Sequence, residues 1–504
     1  MPDRPNVLLI LTDQHRLSAV GAYGPTPCRT PNLDRLASEG VLFENAYTAC
    51  PVCSPARATI MTGLYPHRHG ICANVHGLGC NVPAIVDSPE LLSRRLNAAG
   101  YGCGYSGKWH LCCSGDDHYS EANRDTLPRD VGFEGHNFPN HGGGGFLYPE
   151  YRQYLEAGGW EHRVLPWDEK TRRVWHAGAL DGPIESTVPY FLVENTLSLM
   201  ESFQSRSQPF FIWHNFWGPH CPYYAPREFV EMYRDVEIPP WPNYEWDGRS
   251  VPGPHHAHLH PRAAEFTWED WAGTIRYYYA FASLIDSQIG RMLDAMRQRG
   301  LLENTVVIFT SDHGETLGSH GGMTDKGWVH WEETHRIPFI VRRPGEEGGR
   351  RVEEFVSNAD VYHTALDLAG AEPSRETAHG RSLVPLLEGR TESWREHVVT
   401  EFCGVMNQAM TQRTLRVGNI KYGYNCCAED ELYDLKRDPH EVENLVRDPA
   451  YGAALFDCRR RLAEWMRETG DRAEGEYRRQ ISAWHPELGA EDEPWNAEVS
   501  AAGG

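Results

Sequence analysis

No stretch of apolar residues in this sequence approaches the roughly 20 that a membrane-spanning helix needs. The amino terminus, Met1 to Asn6, leads straight into Val7-Leu-Leu-Ile-Leu-Thr12 without a small-residue cleavage site. Neither a signal peptide nor a transmembrane helix is read, and a cytoplasmic location is expected. Basic charge is also short. Against 70 Asp and Glu stand 48 Lys and Arg, a net charge of -22 at pH 7. That excludes the basic surface which nucleic acids and anionic membranes require, so an anionic substrate would have to meet a local basic pocket. Framework spacing is missing among the 13 cysteines, and an odd count without an export signal reads as reduced thiols rather than disulfides. There is no internal repeat.

What the 504 residues do contain is material for one large domain and a smaller one, since a single core stops growing near about 250 to 300 residues. Four apolar runs end in polar residues: Val7–Leu11 before Asp13-Gln14, Tyr101–Tyr105 before Lys108-Trp-His110, Phe210–Trp213 before His214, and Val306–Phe309 before Ser311-Asp312-His313. All four read as buried strands. Helical patterns at Thr30–Glu39, Ser88–Ala99, Val193–Phe203 and Tyr277–Arg299 lie between them. The alternation predicts an α/β fold, a large and mostly parallel sheet sandwiched by helices. Ligands of such sheets sit beyond the carboxyl ends of the strands, where these polar clusters fall, so separated segments would converge on one cleft.

After about residue 375 the texture changes to short strand-like pieces, Glu396–Phe402 and Thr414–Tyr424, then Glu431–Pro439 and a helix near Ala450–Thr469. The expected division is a catalytic domain over 1–375 and an α+β subdomain with an antiparallel sheet over 376–504. The tail, with its isolated Trp484 and Trp495, reads as a loose end or as an arm packed on a neighbouring copy in a homo-oligomer.

The segment richest in chemistry is Cys53-Ser-Pro-Ala-Arg57-Ala-Thr-Ile-Met-Thr-Gly63. Ser54 reads as an N-cap, Pro55 as the first helical residue and Gly63 as the end of the helix. A nucleophile there would meet unpaired N–H groups and the positive end of the helix dipole, which favour an anion, and Arg57, one turn in, can point back at it. Cys50-Pro-Val-Cys53 also reads as a redox pair or half of a zinc site. Asp13, Gln14, Asp312 and His313 offer hard oxygen donors plus one imidazole, suited to calcium or manganese more than to zinc.

The Cys53–Gly63 run resembles the signature of the type I, formylglycine-dependent sulfatases of the alkaline phosphatase superfamily. Leu432-Tyr-Asp-Leu435, Asp438-Pro439 and Glu441 to Leu445 resemble their carboxyl-terminal subdomain. The resemblance implies that a formylglycine-generating enzyme converts Cys53 to an aldehyde whose hydrate is the nucleophile, held by Arg57. It implies that Asp13, Gln14, Asp312, His313 and the modified Cys53 bind one divalent metal, Ca2+ first, with Mn2+ or Mg2+ as alternatives. Lys108 would bind the anion and His110 contact the hydrate, while His220 and Lys326 would bind a sulfate oxygen and protonate the leaving group. In the implied reaction one hydroxyl attacks sulfur in line, and His110 takes the proton of the other hydroxyl so that sulfate is expelled. Asp13-Gln14 replaces the two adjacent aspartates of many sulfatases, a variant shared with bacterial sulfatases and with phosphonate monoester hydrolases.

The reading is a sulfatase acting on a sulfate monoester, of a sulfated saccharide or another small organic sulfate. Its rival within the superfamily is a phosphonate monoester or phosphodiester hydrolase, which usually carries tyrosine and threonine where this chain has Lys108 and His110. From another class comes a non-catalytic anion- or metal-binding redox protein using Cys50 and Cys53. Pro254-His-His-Ala-His-Leu-His260 reads as a metal binder or a solvated loop. Cys112-Cys113 is given no role. His141–Phe146 and Tyr223-Tyr224 read as a pocket that stacks sugars or as ordinary packing.

Overall fold

A computed structural model describes residues 4–75, 82–112, 126–138, 145, 148–165, 177–246, 266–326, 329–372, 379–405, 408–426 and 428–488. Eight strands make one sheet: β1 (Asn6–Asp13), β2 (Val41–Tyr47), β3 (Gly102–Gly107), β4 (Glu134–Gly135), β5 (Phe210–Pro219), β6 (Thr305–Ser311), β7 (Phe339–Arg342) and β8 (Arg350–Ser357). Their order is β8-β2-β7-β6-β1-β5-β3-β4. Strand β7 runs antiparallel to β2 and β6, and the other neighbouring pairs are parallel.

The central strand shows why the sheet forms. Leu8 and Ile10 point into one core and Val7, Leu9 and Leu11 into another, so β1 is apolar on both faces, as a strand covered by helices on both sides must be. One face is covered by the helices Val188–Ser205 and Trp268–Gln298, the other by Cys53–Thr62, Leu92–Ala98 and Asp360–Ala369. Three helix starts differ from expectation, one of them the helix read from Ser88, which begins at Leu92. The long helix begins at Trp268 rather than Tyr277, because Thr267 and Asp270 form a reciprocal capping box. The helix expected from Val193 begins at Val188, where the Thr187 side chain caps the Tyr190 N–H.

The carboxyl-terminal part is a four-stranded antiparallel sheet, β9 (His397–Val405), β10 (Gln408–Val417), β11 (Ile420–Asn425) and β12 (Glu431–Asp434). The helix Gly452–Thr469 packs on it, joining Leu462 and Met466 to Leu415, Tyr422 and Leu432. Ala49 and Tyr65 share that cluster, so the segment carrying Cys53 is anchored to this sheet from both sides.

His67 adds a charged clamp at the same seam. Its Nδ1 meets the Glu401 carboxylate and its Nε2 faces the Thr469 carbonyl at 3.1 Å. Both partners are acceptors, so both nitrogens must carry protons. Burial opposes that charge, but Glu401, with Asp471 behind it, raises the His67 pKa above its ordinary value. Arg413 also faces Glu401 and Asp471, and the rings of His379 and Tyr65 stack beside His67. A raised folded-state pKa gives stability that is complete below the unfolded value near 6.5 and is lost as pH rises through the folded value. Denaturant unfolding between pH 6 and 9 should show that decline in the native chain, and His67→Gln should flatten it.

The described cysteines are free thiols, most of them buried. No described helix is long and apolar enough to cross a membrane. Tyr223 is buried edge-on against Tyr278 and so packs in the core, while Trp484 is 65% exposed. Cys113, the His141–Phe146 loop apart from Gly145, the Pro254–His260 stretch and Trp495 lie outside the described residues.

Candidate active site

The sheet brings the expected residues to one edge. Asp13 ends β1, Asp312 and His313 follow β6, Lys108 follows β3 and His220 follows β5. Cys53 opens the helix Cys53–Thr62, whose N-cap is Val52. Ser54 is therefore not the cap. Its N–H donates to Asn74 Oδ1 at 3.1 Å and its Oγ accepts from the Val75 N–H at 3.3 Å, which pulls the helix start one residue earlier. Pro55 then falls in the first turn, where a missing N–H costs nothing, and Gly63 ends the helix in left-handed backbone with φ 70°.

Cys53 Sγ lies 3.3 Å from His313 Nε2 and 3.9 Å from Asp13 Oδ1. One ligand atom each from Asp13, Cys53, Asp312 and His313 falls within 4.8 Å of the other three, all buried. His313 Nδ1 donates to the Gly314 carbonyl at 2.9 Å, which leaves the Nε2 lone pair aimed at the group, the usual orientation of a metal-ligating imidazole. Asp312 Oδ1 accepts from the backbone N–H of Gln14 and of His313 at 3.0 and 2.9 Å. Its Oδ2 has no hydrogen bond, although Arg57 Nη2 stands 3.1 Å away. Two carboxylates, an oriented imidazole and an orphaned buried oxygen fit a divalent cation.

Arg57 is the buried counter-charge. Nη2 donates to Asp13 Oδ2 at 2.9 Å, and Nη1 donates to Asn215 Oδ1 at 2.9 Å and to the Lys108 carbonyl at 3.0 Å. Burial works against its charge, but Asp312 and Asp13 hold its pKa above the ordinary value. Lys108 Nζ lies 2.6 Å from Asp13 Oδ2. Burial would raise the Asp13 pKa, yet Lys108, His220, Arg57 and His313 keep it well below the carboxylate range. Burial and Asp13 oppose a thiolate at Cys53, whereas Lys108, Lys326 and His313 lower its pKa overall. His313 is raised to about 9, Asp312 and Cys53 overcoming its burial.

Backbone strain marks the same place. Gln14 and His110 both sit at φ 60°, left-handed conformations that cost free energy for non-glycine residues and persist where the surroundings over-determine them. Gly107, which precedes Lys108, has φ 95°, and a Cβ there would come within 1.8 Å of the Asn215 carbonyl oxygen. Only glycine lets β3 approach β5 closely enough to aim Lys108 at Asp13. His110 is buried just beyond.

Gln14 turns toward a second set of charges. Its Nε2 donates to Glu315 and to Asp325 Oδ1, the latter at 3.0 Å, and its Oε1 accepts from Lys326 Nζ at 2.8 Å. Lys326 also lies 3.2 Å from Asp325. Burial opposes its charge, but Asp325, Cys53, Asp13 and Asp312 raise its pKa well above the ordinary value. The His220 backbone N–H donates to the Asp13 carbonyl at 3.1 Å, and its Nδ1 lies 2.7 Å from the Cys221 carbonyl. Asn215, Glu315 and Asp325 were not singled out from the sequence. The one signal for Asn215 is an amide closing the apolar run Phe210–Trp213. Cys50, the partner in the redox-pair reading, packs on Val52 and Phe402, and burial pushes its thiol pKa well up.

The sulfatase family model matches residues 5–371, and the model for the carboxyl-terminal region of N-sulphoglucosamine sulphohydrolase matches 318–468. The multifunctional alkaline phosphatase superfamily protein PehA of Trinickia caryophylli is 31% identical, over 94% of this chain and 98% of its own. The N-acetylglucosamine-6-O-sulfatase of Bacteroides thetaiotaomicron is 27% identical, over 93% of this chain and 87% of its own. Among solved structures, the phosphonate monoester hydrolase of Agrobacterium radiobacter superposes with a TM-score of 0.79 at 26% identity, covering 92% of this chain and 96% of its own. Together with the match over residues 5–371, this shows that the chain belongs to the sulfatase family of the alkaline phosphatase superfamily, hydrolases of sulfuric esters.

Proposed function

We propose that this chain hydrolyses a sulfate monoester of a small saccharide, with formylglycine derived from Cys53 as nucleophile and one divalent cation held by Asp13, Gln14, Asp312 and His313. The observation that carries the reading is the position of Cys53 Sγ, at a helix start, 3.3 Å from His313 Nε2 and in reach of Asp13. When present, the aldehyde hydrate and the cation supply an oxygen nucleophile and a Lewis acid beside it. Gln14 Oε1 would join the ligands through the lone pair that Lys326 does not use. Hard oxygens with one imidazole suit Ca2+, with Mn2+ and Mg2+ as alternatives.

The chain's own residues do the rest. Arg57, fixed by Asp13, Asp312 and Asn215, holds the nucleophile's side chain from behind. Lys108, just after β3, and Lys326, in the loop after β6, bind sulfate oxygens, preorganised charges that lower the barrier without reorganisation. His220 gives a proton to the departing sugar oxygen, its ring oriented by the Cys221 carbonyl. His110 serves as the base that lets sulfate leave. The saccharide is supported by relatives such as the N-acetylglucosamine-6-O-sulfatase.

A phosphonate monoester hydrolase is the second reading, favoured by Asp13-Gln14 and by the Agrobacterium structure. Lys108-Trp-His110 favours sulfate over it. Mass analysis of the tryptic peptide bearing Cys53, from protein produced with a formylglycine-generating enzyme, should show an aldehyde. A peptide that remains wholly a thiol would remove the nucleophile from both hydrolase readings.

A further inference from the structure

A second group of ligand atoms is enclosed where the loop after β6 meets the carboxyl-terminal part. Left-handed backbone runs through that loop, with φ of 48° at Leu317 and His320 and of 86°, 74° and 89° at Gly318, Gly321 and Gly322. The two non-glycine residues hold this conformation at a cost in free energy. What the turn achieves is to drive the His320 imidazole inward, flat against Trp331 with 3.4 Å between ring centroids and edge-on to Trp246 at 5.6 Å. There it is fully buried, with Nε2 facing Glu333 and no hydrogen bond at Nδ1. A buried ring nitrogen left without a hydrogen bond calls for an explanation such as a ligand.

His320 Nε2 lies 3.5 Å from Glu333 Oε2. Glu441 is buried beside them, and one ligand atom from each of the three residues falls within 4.8 Å of the other two. Each glutamate is oriented through one oxygen. Glu333 Oε1 accepts from Asn243 Nδ2 at 2.9 Å, and Glu441 Oε2 accepts from the Glu332 N–H at 2.7 Å. Positive charge is present but divided. Lys421 Nζ stands 2.7 Å from Glu441 and 3.1 Å from Glu332, and Arg16 is 3.7 Å from Glu333.

We propose that His320, Glu333 and Glu441 form a second divalent-cation site, separate from the Cys53 centre. One imidazole and two carboxylates make a borderline donor set, suited to Mn2+ or Zn2+. The ion would tie together the loop leading to Asp325 and Lys326, the turn Glu332–His335 and the carboxyl-terminal part, holding Lys326 in register with the other site.

The test counts ions and does not depend on the sulfatase reading. The full chain, dialysed against Mn2+ or Zn2+ and then against buffer, is measured by plasma mass spectrometry with circular dichroism as a check on folding. The native chain should hold two ions, Glu333→Gln and Glu441→Gln one each, and Asp13→Asn one. The double variant Asp13→Asn with Glu333→Gln should hold none. A native chain holding one ion that is lost in Asp13→Asn and kept in Glu333→Gln would overturn the proposal, and so would two ions retained in either folded glutamine variant. Loss of activity with both ions still bound would count against the sulfatase reading alone.

Discussion

Cys53→Ala protein is expected to lose sulfate-ester turnover by roughly 10^4- to 10^6-fold, the scale on which removal of a nucleophile acts, while still binding the ester. Substitution removes the reacting atom and leaves the charges around it. Arg57 remains paired with Asp13 and Asp312, Lys108 remains 2.6 Å from Asp13, and Lys326 remains bonded to Gln14. Calorimetry with the sulfate ester should therefore give a dissociation constant near that of the native chain, and a chromogenic assay should read at background. Cys53 is also the point where the family reading and the local physics meet, since the thiol faces two carboxylates and an imidazole that a buried structural cysteine would not need. Turnover undiminished in Cys53→Ala would place the nucleophile elsewhere.

The second large effect concerns the departing alcohol. His220→Asn should lower kcat on alkyl sulfates such as a sugar 6-sulfate by about 10^2- to 10^4-fold, the range that general acid catalysis supplies. It should change kcat on 4-nitrophenyl sulfate little, because nitrophenolate departs without a proton. Lys326→Ala should lower both substrates alike, since an ammonium held by Asp325 and Gln14 acts on sulfate oxygens whatever the leaving group. The proposed division rests on His220 being half-buried just after β5 with Nδ1 turned to the Cys221 carbonyl, which would leave Nε2 to exchange a proton, whereas Lys326 lies buried beside Gln14. The opposite pattern, with leaving-group dependence in Lys326→Ala, would exchange the two roles.

Much of this was legible in the chain because the sheet is simple. Val7–Leu11, Tyr101–Tyr105 and Val306–Phe309 are apolar runs that became buried strands with their polar residues at the carboxyl end, whereas the strand read as Phe210–Trp213 continues to Pro219 and buries His214 and Asn215 within it. That placed Asp13, Lys108, Asp312 and His313 at one edge, whereas His214, the residue read at the end of the third run, lies within the strand bonded to Thr196, and His220 follows the strand's true end. Helix boundaries were less legible, because they depend on caps that competing local bonds can move. Ser54 looks like a cap, yet it spends its N–H and Oγ on Asn74 and Val75. The start at Trp268 depends on a Thr267–Asp270 pair sitting before a segment of mixed polarity.

The supporting residues of the site were the least visible. Asn215 holds Arg57 from a neighbouring strand, and Glu315 and Asp325 hold Gln14 across roughly 300 positions of chain. No local spacing encodes contacts of that separation. The antiparallel sheet was read in outline from Glu396–Phe402 and Thr414–Tyr424, while the charged seam through His67 and Glu401 emerged only from tertiary packing.

The central claim is that the Cys53 centre prefers sulfate, and the most direct measurement is the ratio of kcat/KM for 4-nitrophenyl sulfate to that for 4-nitrophenyl phenylphosphonate. It should be made on protein with Cys53 converted and the cation supplied. The account predicts a ratio well above one, falling toward one when Lys108 and His110 are replaced by tyrosine and threonine. A ratio well below one in the native chain would contradict it and assign the site to phosphonate monoesters.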